Sequence, residues 1–110
     1  MNRRALLFLI AFRCVNALLL QTYFNPDEYW QSVEVAHGLA FGYGHRTWEW
    51  QPEWAIRSYL HPLLFAGIYK LLALLGLDSR AVVAVAPWLL QAVFAALCDA
   101  ALYRLFLRLA

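Results

Sequence analysis

Residues 81–98 read AVVAVAPWLLQAVFAALC, an 18-residue run whose one strongly polar side chain is that of Gln91. Asp78 or Ser79 precedes the run, and either side chain can cap the amino terminus of a helix. A helix of about 20 apolar residues matches the hydrocarbon thickness of a bilayer. The stretch therefore predicts a membrane-spanning helix over about residues 80–103.

The composition of the whole chain also indicates a membrane protein. Of its 110 residues, 64% are apolar and only 15% are charged, whereas soluble domains have about 45–50% and about 25%. These values exclude a disordered, a collagen-like or a nucleic-acid-binding chain, and the net charge of +2 is too small to attract a polyanion. Cys14 and Cys98 have no Cys or His neighbour at metal-ligand spacing, so neither a disulfide framework nor a zinc site is predicted.

A second apolar run predicts another span at residues 5–24, about 30 Å long as a helix. Arg13 lies near its middle, where an uncompensated charge costs at least roughly 2.5–3.5 kcal/mol. Counted along the helix from the basic residues at each end, Arg13 and Asp99 lie at similar depths if the two spans are antiparallel. We therefore predict an ion pair between them within the membrane.

The charged ends of the two spans predict the topology. Basic residues flank both spans on their outer sides: Arg3, Arg4, Arg104 and Arg108. The positive-inside rule places all four on the cytoplasmic side, which requires an even number of spans. We predict an all-α membrane protein with two spans, a lumenal or exterior loop at 25–78, and an interfacial or re-entrant helix at 58–76. Pro62 and Lys70 interrupt this last apolar segment, and a third span there is the alternative.

The loop between the spans is acidic and rich in aromatic residues, as expected of a surface at the membrane boundary. Asn25 and Pro26 have the form of a helix start, and Glu28 completes a capping box. The pattern predicts a helix over 26–40 that lies flat on the membrane. Its polar face has Asp27, Gln31 and Glu34, and its apolar face has Tyr29, Val33, Ala36 and Ala40.

Asp27 and Glu28 are adjacent carboxylates immediately outside the first span. One interpretation is structural, because acids in a first helical turn stabilise the helix dipole by about 0.3–1 kcal/mol. The other is chemical: on an acidic, tryptophan-rich surface at the membrane, a carboxylate can act as general base on a polar headgroup substrate.

Several short sequence motifs along residues 13–105 are distinctive. They are Phe24-Asn25-Pro26-Asp27-Glu28-Tyr29-Trp30-Gln31-Ser32, Glu34, His37, Thr47-Trp48-Glu49-Trp50, Arg57-Ser58-Tyr59 and Pro62. Together they resemble the amino-terminal region of the dolichyl-phosphate-mannose-dependent mannosyltransferases, polytopic endoplasmic-reticulum enzymes of the glycosyltransferase C type. The Pro-Asp-Glu triplet is shared across that family. The Tyr-Trp-Gln-Ser and Thr-Trp-Glu-Trp words look most like the branch that adds the third mannose, by an α-1,2 link, to the glycosylphosphatidylinositol (GPI) precursor.

The resemblance implies an inverting transfer with Asp27 as general base. The base takes the proton of the acceptor 2-hydroxyl as that oxygen attacks the anomeric carbon of mannose and dolichyl phosphate leaves. Glu28 would orient Asp27 or share its proton. The implied substrate-binding residues are Gln31, His37, Trp48, Glu49, Arg57 and His61. The resemblance implies neither a metal nor a cofactor, because the donor is dolichyl phosphate mannose.

Some of these implied binding residues have structural alternatives. Arg57 or His61 would neutralise the leaving phosphate, although Arg57 also suits an interfacial anchor. Trp48 and the other tryptophans are either interfacial anchors or sugar platforms, and His37 is either a ligand or a packed side chain.

The resemblance further implies a multi-pass protein of the endoplasmic-reticulum membrane with the loop 25–78 in the lumen. Its implied partners are membrane lipid, dolichyl phosphate mannose and a GPI precursor glycolipid, with no nucleic acid. Family members have many more spans, so we expect an amino-terminal fragment that is inactive alone. Two alternatives stay open: a small membrane scaffold subunit without catalysis, and another lipid-linked sugar transferase, such as an N-glycan mannosyltransferase or a bacterial enzyme of similar architecture.

Overall fold

The computed structural model describes residues 3–20 and 27–109, which are mainly helical and contain no strand. This confirms the all-α prediction for the described part of the chain. The four α-helices are α1 (Arg3–Leu19), α2 (Glu34–Phe41), α3 (Leu60–Leu74) and α4 (Arg80–Leu109). A π-helical turn at Tyr29–Val33 leads into α2, and a 3-10 turn lies at Trp48–Trp50.

The chain divides into two compact units. The first combines α1 with the part of α4 that begins at Pro87, and the second contains the residues from 27 to 86. All the candidate site residues fall in the second unit.

An ion pair joins the helices of the first unit, as the sequence predicts. Arg13 Nε and Nη2 donate to the two carboxylate oxygens of Asp99 at 2.8 and 2.9 Å. Both side chains are about one-third exposed within the chain. On α4, a stripe of alanines at four-residue spacing is buried close by: Ala92, Ala96 and Ala100.

One helix of the described residues, α4, is long and apolar enough to cross a membrane. Only 17% of the most apolar window of α4 is buried within the chain, whereas the core helix of a soluble protein is mostly buried. The helix α4 contains the predicted span 80–103 and continues to Leu109. The described part of the predicted first span is α1, whose 17 residues are about 26 Å long. Residues 21–26 lie outside the described residues, so the span at 5–24 stays a prediction.

The second unit is built on α2, which packs against α3 and the π-helical turn. Its buried residues include Val35, Ala36 and Ala40 from α2 and Pro62, Phe65, Ala66 and Tyr69 from α3. Gly42 ends α2 in the left-handed conformation, with φ of 84°, and its N–H donates to the carbonyl of Gly38.

Two of the four residues on the predicted apolar face of the helix at 26–40, Ala36 and Ala40, are buried within the second unit. Tyr29 is exposed and Val33 only partly buried, whereas Ser32 and Val35 are buried. The reason is the π-helical turn, in which the N–H of Glu34 donates to the carbonyl of Tyr29, five residues earlier. A turn of this kind contains one residue more than an α-helical turn, so it shifts every preceding side chain around the axis.

The apolar segment predicted at 58–76 forms α3, a helix of 15 residues. At about 22 Å it is shorter than the hydrocarbon core of a bilayer. Gly76 closes it with φ of 66°, and the N–H of Leu77 donates to the carbonyl of Leu72. Its interfacial or re-entrant placement stays a prediction.

Candidate functional site

Asp27 and Glu28 are helical residues that lead directly into the π-helical turn. Both are exposed, and the backbone of Glu28 has α-helical angles of −56° and −39°. The predicted cap at Asn25 and Pro26 lies outside the described residues. Both carboxylates are therefore accessible within the described part of the chain, and their predicted catalytic role stays a prediction.

The π-helical turn is held to α3 by a partly buried polar contact. Ser32 is 7% exposed, and its hydroxyl lies 2.9 Å from Nδ1 of His61. The His61 ring also packs edge-on against Phe65, with 5.0 Å between ring centroids. The contact fixes the turn that follows Asp27, so His61 has a structural role, and its binding role stays a prediction. The sequence prediction did not include Ser32.

His37 lies in an aromatic cluster. Its ring is 4.8 Å from Phe41, 4.9 Å from Tyr43 and 6.2 Å from Tyr69, measured between centroids. Its Nδ1 is 3.2 Å from the backbone carbonyl of Tyr43. This environment is that of the packed alternative, and the binding role of His37 stays a prediction.

Tyr69 is the fully buried member of the same aromatic cluster. Burial raises the pKa of Tyr69 to about 12, and Tyr29 and Glu34 contribute to the rise. The phenol therefore stays protonated at neutral pH and cannot replace a carboxylate as the base.

Glu34 anchors the loop that follows α2. Its carboxylate accepts the backbone N–H of His45 at 2.8 Å, and the His45 ring meets Trp30 edge-on with 5.9 Å between centroids. Gly44 passes so close that a Cβ atom there would lie 3.1 Å from Glu34 Oε1. Its φ of 155° is also unfavourable for other residues.

Gly44→Ala is therefore expected to destabilise the protein by at least about 1 kcal/mol. The added methyl group both clashes with Glu34 and strains the backbone. Thermal unfolding of the purified protein in detergent measures the effect. The matched control is Gly67→Ala on α3, where a Cβ would meet nothing within 4 Å and the helix gains propensity. Equal melting temperatures for the two variants would contradict the prediction.

A cavity of about 230 Å³ lies between the 3-10 turn and the start of α3. Its lining is Arg46, Glu49, Trp50, Gln51, Pro52, Ala55, Arg57 and Tyr59. Arg57 Nη2 donates to Glu49 Oε1 at 3.0 Å across this space. The Trp50 ring packs against Tyr59 with 4.9 Å between centroids. Two predicted binding residues, Glu49 and Arg57, are therefore brought together here.

The remaining predicted residues lie elsewhere on the second unit. Trp48 is 58% exposed and meets Trp54 edge-on, with 6.0 Å between centroids. Gln31 is partly buried in the π-helical turn. The sequence prediction missed the cavity residues Arg46 and Trp50 as site residues. The sequence signal for them is Glu49 between two tryptophans, with Arg46 before this stretch and Arg57 after it.

The chain is similar to known mannosyltransferases. The model of the Alg9-like mannosyltransferase family matches residues 4–110. Mannosyltransferase APTG1 of Arabidopsis thaliana is 60% identical over 103 residues, which are 94% of this chain and 18% of that protein. GPI mannosyltransferase 3 of Drosophila melanogaster is 53% identical over 91% of this chain and 17% of its own length. GPI alpha-1,2-mannosyltransferase 3 of Homo sapiens is 52% identical over 98% of this chain and 19% of its own length.

The chain thus spans about a fifth of the length of the curated relatives it matches. No solved structure matches it significantly.

Proposed function

Because the chain belongs to the Alg9-like mannosyltransferase family, we propose that it is part of a GPI mannosyltransferase. The reaction is the transfer of mannose from dolichyl phosphate mannose to a GPI precursor, through an α-1,2 link. The observation that carries the proposal is the likeness to the human and insect GPI mannosyltransferases over more than nine-tenths of this chain.

In the proposed reaction Asp27 is the general base and the configuration at the anomeric carbon inverts. The acceptor 2-hydroxyl oxygen forms a bond to the anomeric carbon of mannose, and its proton passes to the Asp27 carboxylate. The bond between that carbon and the phosphate oxygen breaks, and dolichyl phosphate leaves with the electron pair. The exposure of Asp27 beside a fixed helical turn supports this role, because the base must reach a large acceptor. Glu28 orients Asp27 or shares its proton.

The proposed location is the membrane of the endoplasmic reticulum. The length and composition of α4 support a membrane location. On α1, large apolar side chains are exposed and suit contact with lipid: Leu7, Phe8, Phe12, Val15 and Leu19.

The function is tested in cells from which the corresponding gene has been deleted. A GPI precursor with two mannoses should accumulate, and the full-length protein containing this chain should restore the third. Lipid extraction with mass spectrometry measures both precursors. A normal GPI profile with shortened N-glycan precursors would instead favour an N-glycan mannosyltransferase. Normal profiles of both kinds would favour a scaffold subunit.

The lumenal placement of residues 25–78 gives a separate prediction. An N-glycosylation acceptor inserted after Gln51 of the full-length protein should be glycosylated, because the proposed topology places the loop 25–78 in the lumen. A shift in gel mobility that is removed by endoglycosidase measures it. The control is the same acceptor placed in a tag before Met1, which should stay unmodified. Modification of the tag alone would reverse the proposed topology.

A further inference from the structure

The π-helical turn at Tyr29–Val33 determines the direction of the residues that precede it. The N–H of Glu34 donates to the carbonyl of Tyr29 across this turn, which therefore contains one residue more than a turn of an α-helix. In an α-helix each residue rotates the chain by about 100° around the axis. A change of the turn to α-helical geometry would rotate Asp27 and Glu28 by about this angle relative to α2. The wide turn thus sets the direction of the Asp27 carboxylate.

A polar contact from a second helix stabilises this turn. Helical turns of the π type are rare and short, so a specific contact is needed to maintain one. Ser32 lies in the turn and is 7% exposed, and a hydroxyl buried to this extent needs a hydrogen-bond partner. Its partner is Nδ1 of His61, which lies 2.9 Å away and 29 residues later in the chain. The hydroxyl can donate or accept, so the pair forms a hydrogen bond with either tautomer of the ring.

His61 is itself held in place by its own helix. It is the second residue of α3, and Pro62 and Phe65 beside it are buried. Its ring packs edge-on against Phe65, with 5.0 Å between centroids. Because α3 packs against both α2 and the π-helical turn, His61 has a defined position relative to each of them. The Ser32 hydroxyl is therefore held at a fixed place relative to the helix that follows it.

We propose that Ser32 and His61 are positioning residues for the base of the transfer reaction. Their contact holds the π-helical turn, and the turn directs Asp27 toward the acceptor hydroxyl. The inference rests on the proposed function, in which Asp27 takes the proton of that hydroxyl. In this role neither residue touches the reacting atoms, and both act through Asp27. Without the contact the turn relaxes toward an α-helix, and the carboxylate points away from the acceptor.

Steady-state transfer by the full-length protein tests the inference, with rates expressed per molecule of folded protein. We expect Ser32→Ala and His61→Ala each to lower kcat by about tenfold to a hundredfold, the loss typical of a misplaced catalytic group, and to leave KM for both lipids unchanged. The double variant should lose no more than either single one, because the two side chains make one contact. His61→Asn keeps an acceptor and a donor near the place of Nδ1 and should recover part of the rate.

The same substitution in an Asp27→Asn background separates positioning from a loss of structure. Once the base is absent a positioning residue has no further effect, so adding Ser32→Ala should leave the residual rate of Asp27→Asn unchanged. A residue that only stabilised the fold would lower this residual rate as well. The control is Ser79→Ala, which replaces an exposed serine outside the contact and should transfer at the wild-type rate.

Several results would overturn the inference. They are a wild-type kcat in Ser32→Ala, additive losses in the double variant, a further loss in the Asp27→Asn background, and a raised KM for dolichyl phosphate mannose in His61→Ala alone, which would place His61 on the donor. Full transfer by Asp27→Asn would contradict the proposed base, and the inference with it. Lost transfer by Asp27→Asn beside normal transfer by Ser32→Ala would overturn the inference and leave the proposed function standing.

Discussion

Asp27→Asn in the full-length protein is expected to lower mannose transfer by about 10²–10⁴-fold, the usual contribution of a general base. The amide has almost the shape of the carboxylate but cannot accept the proton of the acceptor hydroxyl at neutral pH. Because Asp27 is exposed, the substitution should leave the folded protein intact. The measurement is the initial rate of transfer from dolichyl phosphate mannose to a two-mannose acceptor, in membranes from cells that lack the endogenous enzyme.

Two other variants of acidic residues serve as comparisons for Asp27→Asn. Asp78→Asn removes another exposed acid of the same loop, outside the helical turn, and should transfer at the wild-type rate. Glu28→Gln should have a smaller effect than Asp27→Asn, because a residue that orients the base acts through it.

The helix-dipole interpretation predicts a different outcome. If Asp27 only stabilised the start of the helix, its replacement by Asn would cost at most about 1 kcal/mol of stability. The transfer rate per folded molecule would then be unchanged. Full transfer by Asp27→Asn at normal protein level would contradict the assignment of Asp27 as base.

Features that depend on regular helical geometry could be predicted from the sequence. The pairing of Arg13 with Asp99 needed only the rise per residue of a helix and the cost of an isolated charge in lipid. The structure confirms it with two hydrogen bonds. The end of the helix predicted over 26–40 agrees with the end of α2 at Phe41, where Gly42 adopts backbone angles that other residues avoid.

The π-helical turn could not be predicted in this way. The spacing of apolar residues between 26 and 40 fits an ordinary α-helix, and one additional residue in a turn leaves the local pattern nearly the same. What stabilises the wider turn is a contact between Ser32 and His61, 29 residues apart. Hydropathy patterns contain no information about such a contact.

The cavity was only half predicted for a related reason. Glu49 and Arg57 were identified as binding residues through family resemblance, but their mutual ion pair and the closeness of Arg46 depend on how the irregular loop folds. Trp50 is not identified as a cavity residue from the sequence, because tryptophans at a membrane boundary are expected to be interfacial anchors.

Breaking the pair between Arg13 and Asp99 should produce the largest loss of folded protein. Arg13→Gln leaves the Asp99 carboxylate without its partner, and Asp99→Asn leaves the guanidinium without its counter-ion. In a bilayer an uncompensated charge costs at least roughly 2.5–3.5 kcal/mol. Each single variant should therefore have a lower level of inserted protein and a lower melting temperature in detergent.

The exchange variant Arg13→Asp with Asp99→Arg tests whether the two side chains act as a pair. Since opposite charges still meet, it should recover most of the level lost in either single variant. A second double variant, with leucine at both positions, should also recover, because replacing a buried ion pair by apolar side chains is often neutral or stabilising. Arg80→Gln, which replaces an exposed arginine at the start of α4, is the control and should behave as wild type. Double variants no more stable than the single ones would show that Arg13 and Asp99 act independently.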